Sequence, residues 1–165
     1  MTERPLVLFD VDGVLIAKDE LRRLPGAAEA LAQLRHDGDA VLSLVTEADE
    51  DDARFRTTKV GLERYLDFTV GVYGSGQPAD AREKAERAYN AAFRTIGVCA
   101  DSADAVRRIS SAADVLVAVA ATEQAAAELR AAGADHVVAS LIDLVPLLRA
   151  AREDNPIPAA QRGDR

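Results

Sequence analysis

The chain has 165 residues, of which 48% are apolar and 4% aromatic, and its 20 basic and 28 acidic residues give a net charge of −8. This length suits one domain, and the negative charge argues against nucleic acid as a general partner and against anionic membrane surfaces. A single cysteine excludes an internal disulfide, and with only two histidines beside it the chain lacks the ligands for a structural zinc site. No apolar run is long enough to span a bilayer. We therefore expect a cytoplasmic protein.

Apolar runs alternate with helical patterns in the first half of the chain. Three such runs predict strands, over residues 6–9, 41–45 and, most weakly, 67–73. Between the first two, Pro25 suits a first helical turn and Gly38 a helix C-cap. The acidic residues 49–52 suit the positive end of a helix dipole, so they predict a second helix that ends near Gly61.

The second half of the chain continues the same alternation. Its apolar runs predict strands over residues 96–100, 115–119 and 136–138. A helix rich in Ala, Glu and Arg is expected from about 80 to 94, and another lies between the first two of these strands. Thr122 and Gly133 mark the two ends of a further helix, and Ser140 with Asp143 resembles a capping box on the last one.

Strands separated by helices of about ten or more residues predict right-handed crossovers. The expected fold class is therefore α/β, a doubly wound and mostly parallel sheet in a single domain over residues 1–152. Residues 153–165 contain two prolines and no hydrophobic period, so we expect a disordered tail there.

Acidic and hydroxyl side chains follow three of the predicted strands. Asp10 and Asp12 come after the first strand, Thr46 after the second and Asp101 after the fourth. In open α/β sheets the functional crevice lies at these carboxyl ends, and residues two apart on extended backbone point the same way. Three carboxylates in one small site repel each other unless a cation neutralises them, and oxygen ligands suit Mg²⁺. One carboxylate can then attack phosphorus while another protonates the leaving oxygen.

The octet Leu-Phe-Asp-Val-Asp-Gly-Val-Leu at residues 8–15 resembles the first signature of the haloacid dehalogenase (HAD) superfamily of phosphohydrolases. The likeness extends over roughly residues 5–150 and implies a Rossmann-like fold with a hydrolase function. It implies that Asp10 is the nucleophile, forming an aspartyl-phosphate, and that Asp12 is first acid and then base. An acid at position 12 favours phosphatase chemistry over carbon–halogen cleavage.

The same resemblance implies roles for residues further along the chain. Thr46 is similar to the hydroxyl residue that binds phosphate, and Asp101 to the acid that binds the metal with Asp10 and Asp12. The Lys or Arg that steadies the phosphate falls near Arg82 or Lys84. We favour Lys84 as the catalytic cation and keep Arg82 as a substrate-binding residue.

This chain departs from the family pattern in three places. Ala105 stands where a second metal-binding acid is usual, and Glu47 follows Thr46 at the rim of the substrate pocket, where it would oppose an incoming anion. The segments 13–25 and 46–80 hold no cap domain, so we expect an open pocket. An open pocket excludes water poorly and makes few contacts with a small substrate. It therefore indicates either a phosphorylated macromolecule as substrate, or a phosphorylated small molecule with a second copy of the chain covering the site.

Two alternatives remain beside the Mg²⁺-dependent phosphatase. The departures from the family pattern also fit a HAD-like protein with impaired catalysis that binds a phosphorylated ligand or a protein partner. A receiver-type signalling domain would need an Asp at the end of the third strand, where the sequence has Val72, Tyr73 and Gly74. The phosphatase is the function that the sequence favours.

Overall fold

A computed structural model describes residues 3–100 and 102–152. Within them a six-stranded sheet has the order β3-β2-β1-β4-β5-β6, and every neighbouring pair is parallel. The strands are β1 (Arg4–Phe9), β2 (Val41–Thr46), β3 (Val72–Tyr73), β4 (Phe93–Cys99), β5 (Val115–Val119) and β6 (His136–Val138). The expected α/β class is confirmed, whereas the predicted disorder of 153–165 concerns residues outside the described ranges.

Helices connect successive strands across both faces of this sheet. They are α1 (Ala27–Asp37), α2 (Glu50–Lys59), α3 (Asp80–Tyr89), α4 (Ala103–Ser110), α5 (Glu123–Ala132) and α6 (Leu144–Arg152). Among the described residues, no helix is both long and apolar enough to cross a membrane.

β1 lies at the centre of the sheet and is covered on both faces. Val7 and Phe9 pack into one hydrophobic core, whereas Leu6 and Leu8 pack into the other. All four side chains are fully buried, because successive residues of a strand point to opposite faces and helices cover each face. This explains why the first strand of the sequence is a continuous apolar run that ends abruptly at Asp10.

The third strand is shorter than the sequence predicts. Residues Phe68–Val70 form a 3₁₀ turn, and the side chain of Asp67 accepts a hydrogen bond from the Thr69 backbone N–H at 3.0 Å. Only Val72 and Tyr73 pair with β2. The prediction of a strand over 67–73 is therefore wrong for its first part, because a local Asp side-chain bond competes with strand pairing.

Three predicted helix boundaries are also corrected. α1 begins after Gly26, whose φ of 84° is left-handed, so Pro25 precedes the helix. α3 ends at Tyr89 because Asn90 adopts a φ of 49°, several residues before the predicted end near 94. The Ser140 side chain makes no capping bond, and a 3₁₀ turn over Leu141–Asp143 precedes α6.

The predicted caps at the C-terminus of α1 and at both ends of α5 are confirmed. Gly38 closes α1 in a left-handed conformation, with φ at 89°. The Thr122 side chain accepts a hydrogen bond from the Ala125 backbone N–H at 3.1 Å, and Gly133 closes the same helix, α5. Asp49 likewise caps α2 by accepting from the Asp52 N–H at 2.8 Å, which fits the acidic start predicted there.

Gly97 lies where β4 packs tightly against α4. A Cβ added there would lie 2.5 Å from Ile109 Cγ2 and 3.2 Å from Ala113 Cβ. Gly97→Ala should therefore lower the free energy of unfolding by about 1–3 kcal/mol through overpacking, measured by denaturant unfolding. In an Ile109→Ala background, which opens space at this contact, the same substitution should cost less. An equal cost in both backgrounds would show that crowding is not the cause.

Candidate functional site

A pocket of about 290 Å³ opens where β1, β2 and β4 end. It is lined by residues that follow these strands or begin the next helix, with Lys18 from the loop after β1: Asp10, Val11, Asp12, Lys18, Thr46, Glu47, Ala48, Ala100, Ser102, Asp104, Ala105 and Arg108. The structure thus brings Asp10, Asp12, Thr46 and Glu47 together. Asp101 lies outside the described residues, although its neighbours Ala100 and Ser102 line the pocket.

Asp10 is the buried acid of this pocket, with 4% of its surface exposed. Its backbone N–H donates to the Val98 carbonyl at 2.9 Å, which fixes the residue between the ends of β1 and β4. Its Oδ1 accepts a hydrogen bond from Nη2 of Arg108, and its Oδ2 accepts a long one from the Ala100 N–H at 3.4 Å. Burial raises the pKa of Asp10 to about 6, because desolvation outweighs the lowering effect of the Arg108 guanidinium.

Asp12 is the exposed acid of the pair, and its Oδ1 accepts a hydrogen bond from Nη2 of Arg56 on α2. Its charge is close enough to Asp10 to contribute to the raised pKa of that residue. Gly13 turns the chain directly behind the two acids with a φ of 81°, and a Cβ there would lie 3.0 Å from Ala100 Cβ. A glycine is therefore needed to keep both carboxylates at the mouth of the pocket.

Thr46 ends β2 with 8% of its surface exposed. Its Oγ1 accepts a hydrogen bond from the Ala48 N–H at 3.2 Å, an interaction that uses the oxygen and not the hydroxyl proton. Glu47 is the next residue, exposed at the rim. The hydroxyl can thus donate to an anion in the pocket, whereas the Glu47 carboxylate repels one.

The structure does not bring Arg82 or Lys84 to the acidic pair. Arg82 forms ion pairs at 3.5 Å with Glu3, Glu86 and Asp114. Because Glu3 precedes β1 and Asp114 precedes β5, Arg82 lies at the opposite edge of the sheet from the pocket. Lys84 Nζ donates to the Gly71 carbonyl at 2.8 Å, and neither residue is part of the pocket lining.

Two arginines that the sequence reasoning missed contact the acids instead. Arg108 lies on α4 and lines the pocket, and Arg56 lies on α2. A signal for Arg108 was present, because it stands three residues after Ala105, on the same side of the helix that follows β4. No comparable local signal identifies Arg56, whose contact with Asp12 joins residues 44 positions apart.

The donor set of the pocket suits a hard divalent cation only in part. Asp10 and Asp12 supply carboxylate oxygens, which Mg²⁺ prefers, but each carboxylate is also bound to a guanidinium. Over residues 3–100 and 102–152, no group of three or more His, Cys, Asp or Glu side chains could hold a metal ion. Asp101, the predicted third ligand, would have to complete such a site.

Comparison with known proteins identifies the fold. No protein-family model and no curated protein matches the sequence. Among solved structures, a candidate beta-phosphoglucomutase from Thermotoga maritima has a TM-score of 0.68 and 18% identity, covering 90% of this chain and 99% of its own. A haloacid dehalogenase-like family hydrolase from Streptococcus pneumoniae has a TM-score of 0.66 and 14% identity, covering 87% and 97%.

A third structure, a family IA HAD hydrolase from Entamoeba histolytica, has a TM-score of 0.61 and 16% identity, and the match covers 88% of this chain and 100% of that one. The likeness therefore extends over most of the chain. It confirms, at the level of the fold, the resemblance carried by residues 8–15.

Proposed function

We propose that this chain, which has the fold of haloacid dehalogenase-like proteins, is a phosphohydrolase whose nucleophile is Asp10. One observation carries the proposal: Asp10 and Asp12 line a single pocket at the carboxyl end of the central strand. In this fold class, ligands bind at the carboxyl ends of the strands. Buried and held on two sides, Asp10 is positioned for attack, and the more exposed Asp12 is able to exchange protons with substrate and water.

The reaction consists of two displacements at phosphorus. Asp10 forms a bond to phosphorus as the bond to the leaving oxygen breaks, and Asp12 supplies the proton that this oxygen takes up. A water molecule then attacks the aspartyl-phosphate and gives its proton to Asp12, which restores both carboxyl groups and releases inorganic phosphate. Near pH 7 most of Asp10 is ionised, because its pKa, although raised, is about 6.

Mg²⁺ is the cofactor we propose for this site. Oxygen atoms of Asp10 and Asp12 would hold it, with the Asp12 carboxyl group left free to exchange protons and Asp101 as the third ligand expected from the sequence. When bound, the ion supplies the positive charge that lets a phosphate dianion approach acidic side chains. Thr46 donates a hydrogen bond to that phosphate in the same pocket.

The substrates we propose are phosphate monoesters whose phosphate can pass the acidic rim and reach Asp10. The pocket of about 290 Å³ has room for a phosphate group and part of the group to which it is esterified. Glu47 at the rim and the net charge of −8 oppose highly anionic substrates. A phosphorylated small molecule or an exposed phosphate on a macromolecule fits these limits, and a second copy of the chain would provide a cover.

The decisive experiment traps the covalent intermediate. The purified chain is incubated with an aryl phosphate and Mg²⁺, quenched, and treated with borohydride, which reduces an aspartyl-phosphate to homoserine. Peptide mass spectrometry should locate this change at position 10, and it should persist in Asp143→Asn, which removes an exposed acid outside the pocket. Turnover without any modified residue, or a modification at another acid, would contradict the assignment of Asp10.

A further inference from the structure

Arg108 contacts the proposed nucleophile. Its Nη2 donates to Oδ1 of Asp10, and the two residues stand 98 positions apart in the chain. The Arg108 side chain is 29% exposed and the Asp10 side chain 6%, so the guanidinium approaches the acid from the open side of the pocket.

We propose that Arg108 binds the phosphoryl group that Asp10 attacks, so that α4 supplies the phosphate-binding cation of the site. The inference rests on the proposed phosphohydrolase function and assigns a role within it. It replaces the sequence-based expectation that this cation comes from Arg82 or Lys84 on α3.

The reach of the guanidinium supports this role. A phosphorus atom in position for attack lies within about 3–3.5 Å of the carboxylate oxygen. Arg108 already donates a hydrogen bond to that same carboxylate, so its remaining N–H groups lie within reach of the phosphate oxygens. The planar guanidinium carries five donors in a fork that matches two phosphate oxygens at once.

The electrostatics favour an exchange of partners. When phosphate enters, Arg108 can pass from one anion to another, so its own charge is never left unpaired. Release from Asp10 frees the Oδ1 oxygen for attack at the moment the phosphate arrives. In the absence of phosphate, the guanidinium offsets the negative charge of the buried carboxylate.

Arg56 and Arg107 fit the role less well. Arg56 bonds Asp12 rather than Asp10 and is not part of the pocket lining. Arg107, the neighbour of Arg108 on α4, forms an exposed pair with Asp104 and has 65% of its side chain in solvent. Arg107 therefore provides a control with the same charge on the same helix.

The test measures binding of inorganic phosphate by titration calorimetry, with and without Mg²⁺, so that it does not depend on turnover. Arg108→Met should weaken phosphate binding roughly 10- to 100-fold, the usual effect of losing hydrogen bonds to a charged group. Arg107→Met should leave it unchanged. Arg108→Lys keeps the positive charge but loses the two-pronged donor geometry, so its phosphate affinity should lie between those of Arg107→Met and Arg108→Met. This variant also provides the test if Arg108→Met does not fold.

Kinetics with an aryl phosphate add a second measurement. Loss of Arg108 should raise KM by a similar factor, whereas a merely structural role would lower the active fraction and leave KM unchanged. Unchanged phosphate affinity in folded Arg108→Met would overturn the inference. If Mg²⁺ also binds more tightly to this variant, Arg108 acts only as the counter-ion of Asp10.

The outcomes separate this inference from the proposed function. If no covalent intermediate forms at Asp10 but phosphate binding still depends on Arg108, the phosphate site stands and the hydrolase assignment fails. If the intermediate forms and Arg108→Met binds phosphate normally, the hydrolase stands and the role of Arg108 fails.

Discussion

Asp10→Asn should lower kcat for an aryl phosphate by roughly 10⁴-fold or more, because an amide cannot form the covalent intermediate that splits the hydrolysis into two steps. The substitution preserves the size of the side chain, and the amide oxygen of the variant can still accept a hydrogen bond from Arg108. Folding should therefore be retained, and the loss should appear in kcat rather than in expression or solubility. Steady-state rates with saturating Mg²⁺ measure the effect.

The charge-matched control for this prediction is Asp143→Asn. Asp143 is exposed in the 3₁₀ turn before α6 and does not line the pocket, so its removal should change kcat by less than about twofold. A rate in Asp10→Asn within about tenfold of the parent rate would show that another group is the nucleophile.

The acidic part of the site is predictable from the sequence because it depends on local patterns and on one general property of the fold. An apolar run that ends in Asp10, Val11, Asp12 and Gly13 identifies a buried strand followed by a turn. Parallel strands have their carboxyl ends on a common side of the sheet, so the sequence alone predicts that Thr46, at the end of β2, lies near the acids. The structure brings these residues to one pocket.

The cationic part of the site is not predictable in the same way. Arg82, Lys84, Arg56 and Arg108 all lie on helices rich in charged residues, and composition does not distinguish them. Which of them faces the pocket depends on where each helix begins and how it is rotated against the sheet. α4 begins immediately after β4, at the pocket edge, and its cap at Ser102 fixes the rotation that brings Arg108 to Asp10.

The third strand illustrates a different limit. The run from residue 67 to 73 has the apolar content of a strand, yet the Asp67 side chain bonds the backbone two residues on and diverts the first part into a 3₁₀ turn. The Tyr73 hydroxyl donates to the Phe68 carbonyl at 2.8 Å and holds that turn against the short strand. Propensity alone cannot weigh such side-chain bonds against pairing with β2.

The buried acid should also leave a clear mark on stability in the metal-free protein. The pKa of Asp10 is about 6 in the folded chain, against 3.8 for the free side chain, because burial disfavours the ionised form. Between these values the folded state binds more protons than the unfolded state, so the free energy of unfolding falls as the pH rises from about 4 to about 6. A difference of about 2 units makes the ionised carboxylate cost up to about 3 kcal/mol near neutral pH.

Asp10→Asn removes this cost because the amide is neutral at every pH of the experiment. Denaturant unfolding in the presence of EDTA should therefore give a more stable variant near pH 7, with the gain shrinking as the pH falls towards 4. Parallel stability curves for the two proteins across this range would mean that Asp10 titrates normally. The same substitution thus tests the nucleophilic role of Asp10 and the cost of burying its charge. We expect Asp10→Asn to remove turnover and to stabilise the fold, because the buried charge serves function at the expense of stability.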